Sequence, residues 1–277
     1  MSAILYIIAT PIGNLGDITL RALEILKKVD YIACEDTRVT KVLADKYGIK
    51  AKLFDCHKFN EKERSEKIIS ILKDGKEIAL VSDAGTPLIS DPGSVLLDEL
   101  YKNNIKVTSI PGACAVTTFL SLIPRNTEEY VFIGFMPKQK NNQIEILNKH
   151  RYTNLVFYES PNRLMDTLKN ISIHLGSNTK VAIGRELTKV FEEIKIGNID
   201  DIIEYYNNNP LKGEIVAMVF KKEASFISDE EIKDKINILK KEGYSPKDIS
   251  KILSKLYGEN KNRIYKLTLE WFFIELF

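Results

Sequence analysis

Residues 78–93, IALVSDAGTPLISDPG, join a short apolar run to a loop that is rich in acidic and turn-forming residues. The run at 78–82 has the length of a buried strand, and the loop at 82–93 contains two Asp, two Pro and two Gly. A simple connection between a strand and a helix needs fewer special residues. Because open α/β sheets bind ligands beyond the carboxyl ends of their strands, this stretch predicts a ligand-binding loop in an α/β protein.

The alternation of short apolar runs with amphipathic segments extends outward from this stretch, from residue 4 to about 220, and is typical of the α/β class. The predicted strands are 4–9, 31–34, 78–82, 106–110, 130–135, 154–159, 180–184, 190–196 and 215–220. The predicted helices are 38–47, 61–74, 92–103, 114–122, 161–174 and 198–208. A further helix follows the first strand, with Asp17 as its N-cap and an apolar stripe from Ile18 to Val29.

Two polar breaks divide the chain into three predicted parts. The first break, at 123–129, carries a proline between two patterned regions, and the second lies at 221–229. We therefore expect an N-terminal α/β domain at 1–124, a C-terminal α/β domain at 125–221 and a helical basic extension at 222–277. The predicted helices of this extension are 229–242, 245–257 and 260–276.

The composition is that of a globular protein, since 44% of the 277 residues are apolar and 28% are charged. The formal net charge is only +2, so the whole molecule carries no field that would direct it to nucleic acid or to an anionic membrane. Residues 235–266, however, contain nine Lys or Arg and three acidic residues. This stretch is either a solvated helical surface or a module that contacts phosphates, and both interpretations stay open.

Three cysteines without a C-x-x-C spacing argue against a disulfide framework and against a thiolate zinc site, and they are typical of a reducing compartment. The three histidines are dispersed along the chain, so we expect no metal. The N-terminus shows no basic signal segment, and no run approaches the roughly 18 apolar residues of a membrane span. We therefore expect a cytoplasmic protein without membrane contact.

Several familiar catalytic motifs are absent from the sequence. There is no G-x-x-x-x-G-K-[ST], no G-x-G-x-x-G after a strand, no G-x-S-x-G and no H-E-x-x-H. P-loop NTPases, ordinary dinucleotide enzymes, serine hydrolases and zincins therefore lose support.

Other turn-rich or charged segments also adjoin predicted strands. They are TPIGNLGD at 10–17, IPGACA at 110–115, YESPNR at 158–163, GRELTK at 184–189 and KGE at 212–214. The small residues at 110–115 could present free N–H groups to a carboxylate, or could form only a tight turn beneath a helix. Charged residues at strand ends could carry chemistry or form an internal ion-pair network, and both alternatives stay open for Glu159, Arg163, Arg185 and Glu186.

In this order, the segments resemble the ribosomal RNA small subunit methyltransferase I family of the tetrapyrrole methylase superfamily. The resemblance rests on TPIGNL-x-D at 10–17, EDTR at 35–38, SDAGTP-x-ISDPG at 82–93, PG-x-x-A at 111–115, GF at 134–135, YESP-x-R at 158–163, RELTK at 185–189 and KGE at 212–214. It covers residues 1–220, and it implies two α/β domains of the tetrapyrrole methylase type with the cofactor cleft between them, plus a small C-terminal helical extension.

The resemblance implies S-adenosylmethionine-dependent 2′-O-methylation of a cytidine ribose in 16S rRNA, in the decoding centre of the small ribosomal subunit. The implied partners are 16S rRNA or the small subunit, and a second copy of the chain in a homodimer. A path for the RNA would run along residues 235–266 together with Arg38, Lys41, Lys138 and Lys140. Two alternatives stay open: a methyltransferase of the same superfamily acting on a tetrapyrrole or other small substrate, and a non-catalytic RNA-binding assembly factor.

The resemblance also places the cofactor along both domains. The expected cofactor-binding residues are Ile12, Asp83, Ala84, Gly85, Ser90, Ala113, Cys114, Ala115, Leu187 and Gly213. Methyl transfer to a hydroxyl requires positioning of the two reactants and a base or cation near the emerging alkoxide. We rank four residues highest for these catalytic roles, without singling out the base: Glu159, Arg163, Arg185 and Glu186.

Overall fold

The computed structural model describes residues 3–57, 61–91, 93–125, 127, 129–209, 211–222, 229–257 and 259–274. Parts of both predicted breaks, and the end of the last predicted helix, lie outside these residues. Two sheets with their helices form one compact unit, residues 1–150 and 154–220. Residues 151–153 and 221–277 form a second unit.

The first half of the larger unit contains a sheet in which every strand pair is parallel. Its strands, in spatial order, are β3 (Lys52–Asp55), β2 (Tyr31–Cys34), β4 (Ile78–Val81), β1 (Ile4–Ile8) and β5 (Lys106–Ile110). Its helices are α1 (Leu20–Lys28), α2 (Thr37–Tyr47), α3 (Glu61–Lys73), α4 (Ser94–Lys102) and α5 (Ala115–Ser121). Because the strands share one direction, the loops that follow them leave the same edge of the sheet.

Both faces of this sheet are covered, as the alternation of side chains in β4 shows. Ile78 and Leu80 pack in a cluster with α3 and α4, whereas Ala79 and Val81 pack in a cluster with α1 and α2. A strand buried on both faces needs apolar residues at consecutive positions. The apolar run at 78–81 therefore follows directly from the position of β4 in the middle of the sheet.

The second half contains a mixed sheet, in which only β6 and β7 are parallel. Its strands, in spatial order, are β6 (Tyr130–Phe135), β7 (Asn154–Glu159), β10 (Ile215–Val219), β8 (Lys180–Arg185) and β9 (Glu193–Asn198). Its helices are α6 (Lys140–Lys149), α7 (Pro161–Leu175) and α8 (Ile199–Asn208). One face packs on these helices. The other face packs through Val156 and Met218 against Phe119 of α5, so a shared apolar core joins the two halves.

The second unit contains α9 (Asp229–Lys241), α10 (Pro246–Tyr257) and α11 (Lys261–Ile274). Buried isoleucines from all three helices, Ile232, Ile236, Ile249 and Ile264, form its core. Arg263 pairs with Asp229 and Glu259, so one cation of the basic stretch is neutralised inside the unit. Across the described part of the chain, no helix has the length and apolar character needed to cross a membrane.

Several elements differ from the sequence-based expectations. Thr19 caps α1 by accepting a hydrogen bond from the Ala22 N–H, while Asp17 lies in a preceding 3₁₀ turn. The strand predicted at 190–196 begins at Glu193 and not at residue 190. Two elements were not predicted: β3 is a four-residue edge strand with a charge at each end, and α6 begins with four polar residues, KNNQ.

Candidate active site

A cavity of about 390 Å³ lies within the larger unit, lined by loops from both of its halves. The first half contributes residues that follow its parallel strands: Ile12, Glu35, Asp83, Ala84, Gly85, Thr86, Ile89, Ser90, Asp91, Cys114 and Ala115. The second half contributes Phe135, Tyr158, Glu159, Ser160, Pro161, Leu187, Gly213, Glu214, Ile215 and Val216. The volume is within the range of small-molecule sites.

Hydrogen bonds between two loops of the parallel sheet shape one wall of the cavity. Thr10 and Gly85 exchange two backbone hydrogen bonds, each 2.9 Å long, and the Thr10 hydroxyl donates to the Ser82 carbonyl. Gly85 has a φ of +80°, and a Cβ there would lie 3.3 Å from Ile12. Glycine therefore allows the loop after β4 to lie directly against the loop after β1.

Three carboxylates give this wall an acidic character. Burial, and then the neighbouring carboxylates Asp83 and Asp91, raise the pKa of Glu35. Burial also raises the pKa of Asp83 and of Asp91. Ionised carboxylates that are held close together and partly buried favour a bound cation, because the cation offsets their mutual repulsion.

Asp36, next to this wall, has a different environment. Its carboxylate accepts hydrogen bonds from the Arg38 side chain and backbone, which lower the pKa of Asp36 to about 2. The Asp36 backbone N–H donates to the Asp83 carboxylate over 2.9 Å. The segment at 35–38 thus orients Asp83 through the backbone and keeps its own side-chain pair at the surface.

The remaining walls of the cavity are largely apolar. Ile12, Leu187, Ile215 and Val216 are buried and line it from both halves. Tyr158 adds an aromatic ring, and burial raises the pKa of its hydroxyl. A ligand that combines a positive charge with flat or aliphatic parts matches this division between an acidic wall and apolar walls.

The structure brings nine of the ten predicted cofactor-binding residues to the cavity: Ile12, Asp83, Ala84, Gly85, Ser90, Cys114, Ala115, Leu187 and Gly213. Ala113 is not among the lining residues, and its carbonyl instead accepts a hydrogen bond of 3.0 Å from the Thr86 hydroxyl. All three cysteines, Cys34, Cys56 and Cys114, are free, and the described residues include no cluster of three metal ligands.

Among the four residues ranked for catalysis, Glu159 lines the cavity. Its side chain has no solvent exposure, and each of its oxygens accepts a hydrogen bond of 2.8 Å, one from the Ser160 N–H and one from the Thr167 hydroxyl. Arg163 lies 3.3 Å from the same carboxylate and donates to the carbonyls of Met136 and Pro137. Arg163 therefore links β7 to the segment that follows β6.

Arg185 and Glu186 lie outside the cavity lining and form ion pairs. Arg185 pairs with Glu193, and Glu186 pairs with Lys189 at 2.8 Å. The Glu186 carboxylate also accepts the Glu214 N–H. Although burial opposes the shift, these two hydrogen bonds lower the pKa of Glu186. All four ranked residues thus form ion pairs within the fold, as the alternative interpretation expected, and their catalytic role stays a prediction.

Eleven lining residues were not selected from the sequence: Glu35, Thr86, Ile89, Asp91, Phe135, Tyr158, Ser160, Pro161, Glu214, Ile215 and Val216. Glu35, Phe135 and Tyr158 lie at or directly after the carboxyl ends of β2, β6 and β7, so their position in the strand pattern could have identified them. Asp91 and Glu214 belong to the segments 82–93 and 212–214, which the sequence pattern singles out, but which residues of these segments line the cavity depends on how the loops fold.

Comparisons with known proteins agree with this arrangement. The profile of the family Tetrapyrrole (Corrin/Porphyrin) Methylases matches residues 4–203. A diphthine synthase superposes with a TM-score of 0.65 at 13% identity, covering 84% of this chain and 95% of that one. The cobalt precorrin-4 methyltransferase CbiF superposes with a TM-score of 0.61 at 18% identity, covering 78% and 94%. The family profile, which matches more than half of the chain, thus identifies a tetrapyrrole methylase, and the superpositions confirm the predicted fold class.

Closer relatives define the particular family. Proteins named "Ribosomal RNA small subunit methyltransferase I" are 40% identical in Buchnera aphidicola, with 96% of each chain covered, and 39% identical in Pasteurella multocida, with 98% of this chain and 99% of that protein covered. The protein of that name from Escherichia coli O157:H7 is 38% identical over 96% of this chain and 94% of its own length. The chain belongs to the ribosomal RNA small subunit methyltransferase I family.

The cofactor of these methyltransferases is S-adenosylmethionine, as the resemblance implied. The chemistry of the cavity fits this molecule, which carries a sulfonium, an ammonium, a ribose and an adenine. Asp83, Asp91 and Glu35 provide carboxylates for its cationic groups, and the buried Ile12 and Leu187 provide apolar walls. The fit is one of charge and polarity, and it involves both halves of the larger unit.

Proposed function

We propose that this protein transfers a methyl group from S-adenosylmethionine to the ribose 2′-hydroxyl of a cytidine in 16S rRNA, in the decoding centre of the small subunit. The observation that carries the proposal is that the similarity to proteins named ribosomal RNA small subunit methyltransferase I extends over almost the whole chain. The match to the Pasteurella multocida protein covers 98% of it, so it includes the helical extension as well as the two sheets.

The bound cofactor supplies a methyl group that is already activated by its sulfonium, so the protein must mainly position the reacting hydroxyl and accept its proton. Asp83 and Asp91 hold positive charge at the first wall. Glu159 lines the cavity from the second half, its carboxylate is oriented by hydrogen bonds from Ser160 and Thr167, and it is our candidate to accept or direct the proton. Arg163 forms an ion pair with Glu159.

We propose that RNA phosphates contact exposed lysines outside the cavity. On α10, Lys247, Lys251 and Lys255 recur every four residues and are exposed, so they form one stripe along the helix. Lys138 and Lys140 are exposed beside the end of β6. Replacing the three α10 lysines by Gln should weaken RNA binding and reduce its salt dependence by roughly three counterions. Unchanged salt dependence would favour a merely solvated helix.

We further propose that the protein acts in the cytoplasm, where its ribosomal substrate is found, and as a homodimer. Light scattering of the purified chain measures its oligomeric state directly. A mass corresponding to a single chain at micromolar concentration would contradict the dimer.

The function is tested by mapping 2′-O-methylation of 16S rRNA in cells with and without the gene, and again after complementation with a Glu159→Gln variant. We expect one cytidine of the decoding centre to lose its methyl group when the gene is absent and to regain it with the wild-type gene only. An identical methylation map in both strains would contradict the proposal. Assays with purified protein on free 16S rRNA and on assembled subunits would then identify the substrate form.

A further inference from the structure

An irregularity at the end of β6 turns an aromatic side chain toward the mouth of the cavity. The pairing of β6 with β7 shifts register between Phe132 and Phe135, and Gly134 within this shift has a φ of +69°. β-bulges of this kind redirect side chains and are frequent beside active sites. As a result, Phe135 lines the cavity and remains 58% exposed.

The exposed ring of Phe135 rests on a second aromatic residue. Its centroid lies 5.4 Å from that of Tyr158, with 60° between the ring planes. Tyr158 in turn contacts Phe132 edge to face, with centroids 5.0 Å apart. The two inner rings are partly buried, so Phe135 is in contact with protein through Tyr158 while more than half of its own surface stays exposed.

An ion pair between a buried carboxylate and a partly exposed arginine holds this end of β6 in place. Arg163 donates to the carbonyls of Met136 and Pro137, the two residues that follow Phe135. Arg163 is itself fixed by Glu159, whose carboxylate has no solvent exposure. These contacts restrict the backbone next to the ring. An exposed aromatic ring on a restrained backbone is suited to stacking on a flat ligand.

We propose that Phe135 stacks on the nucleobase of the nucleotide to be methylated and so is a substrate-positioning residue at the mouth of the cavity. This inference rests on the proposed function. Single-stranded or splayed-out bases are commonly held on aromatic side chains. Lys138 and Lys140, both exposed, follow Phe135 closely and can meet the phosphates of the same strand.

The position of Phe135 distinguishes this role from a contact with the cofactor's adenine. Ile12, Leu187 and Val216 line the cavity and are buried, so they supply apolar walls for the cofactor. Phe135 is more than half exposed, which places its free face where a large substrate arrives from solvent. A base stacked there would hold the attached ribose at the cavity, which is what the reaction requires.

The test compares Phe135→Leu, which keeps apolar bulk but removes the flat ring, with Phe135→Trp, which keeps a larger ring. Tyr101→Leu is the matched control, because Tyr101 is 61% exposed on α4 and does not line the cavity. For each purified protein, calorimetry measures the Kd for S-adenosylmethionine, and steady-state assays on small subunits or 16S rRNA measure KM and kcat. Thermal melting verifies that each variant is folded.

We expect Phe135→Leu to raise the KM for RNA by roughly 5-fold to 100-fold, the range that loss of one base–aromatic stack produces. Its Kd for the cofactor should stay unchanged, Phe135→Trp should restore most of the affinity for RNA, and Tyr101→Leu should resemble the wild type. An unchanged KM in Phe135→Leu, or a parallel rise in the cofactor Kd, would overturn the inference. A wild-type protein that binds the cofactor but methylates no small-subunit RNA would overturn the proposed function and this inference together.

Discussion

The two sheets contribute to one cavity in different ways. In the first sheet all five strands are parallel, so several strand-end loops converge at one edge and their acidic and small residues meet there. In the second sheet only β6 and β7 are parallel, and the residues that reach the cavity are arranged by a bulge, by ion pairs and by a close approach of two loops. The comparison teaches that parallel topology brings the loops of the first half to the cavity, whereas the lining residues of the second half depend on specific tertiary contacts.

The largest effect is expected from breaking the buried ion pair of the second half. Arg163→Met would leave the Glu159 carboxylate without its cation and two carbonyls without a donor. We expect a loss of about 3 kcal/mol in the free energy of unfolding, at the low end for buried pairs because Arg163 is partly exposed. Urea denaturation measures this loss. In the first half, Arg38→Met removes an ion pair with Asp36 that is open to solvent and should leave the unfolding transition unchanged. Equal losses of stability in the two variants would contradict this difference between the two halves.

A smaller effect is expected at the loop contact beside β10. Gly213 has a φ of +88°, and a Cβ there would overlap the Glu186 carboxyl group, which Lys189 holds in place. Gly75, in the first half, has a φ of +82° with open space around it. Ala at either position should lower the free energy of unfolding by about 1 kcal/mol because of backbone strain. Ala at 213 should lower it by about 1 kcal/mol more because it displaces the ion pair.

Thermal melting compares these two glycine variants, and calorimetry measures their affinity for S-adenosylmethionine. Gly213→Ala should also weaken cofactor binding because this residue lines the cavity, whereas Gly75→Ala should not. Equal losses of stability in the two variants would show that only the backbone strain common to both positions matters, and that the close approach of Gly213 to Glu186 has no effect of its own.

The smallest effect on stability is expected at the acidic wall of the first half. Asn at position 83 can still accept the hydrogen bond from Asp36 but carries no charge. Because burial raises the pKa of Asp83 in the folded chain, its ionised form disfavours folding near neutral pH, so Asp83→Asn should melt at the same or a higher temperature. Its affinity for S-adenosylmethionine should fall about tenfold, the loss of one charge-assisted contact.

The same carboxylates give cofactor binding a pH dependence. The pKa values of Glu35, Asp83 and Asp91 are raised, so their protonation begins at a higher pH than for ordinary carboxyl groups. Protonation removes negative charge from the wall, and affinity for the cationic cofactor should therefore decrease as the pH falls. Calorimetry at a series of pH values should show a shallower decrease of cofactor affinity for Asp83→Asn than for the wild type. If the two curves of affinity against pH were parallel, Asp83 would not contribute to cation binding.

Most of the fold could be predicted from the sequence because buried parallel strands leave a strong signal. The apolar run at 78–81 became β4, and the stripe from Ile18 to Val29 became the helix α1. The edge strand β3 was missed because half of its four residues are charged. The helix α6 was missed because its buried side includes Gln143, which a hydrophobic pattern cannot detect and which bonds to Pro137 and Asn170.

The two sides of the site were predicted unequally, for the same reason that the two sheets differ. Residues such as Asp83 and Cys114 follow parallel strands, so their sequence position alone places them at the cavity. Arg163 and Glu186 also flank strands, yet they point into ion pairs that only the packed structure defines. Phe135 lies at the carboxyl end of a predicted strand, but the shift of register that accompanies its position at the cavity leaves no pattern in the sequence.

The most direct test of the separate roles proposed for Asp83 and Phe135 is a paired measurement on Asp83→Asn and Phe135→Leu. Both the Kd for S-adenosylmethionine and the KM for small-subunit RNA would be determined for each variant and for the wild type. The account predicts that Asp83→Asn raises only the cofactor Kd and that Phe135→Leu raises only the KM for RNA. Variants that each alter both constants equally, or that exchange their effects, would contradict it.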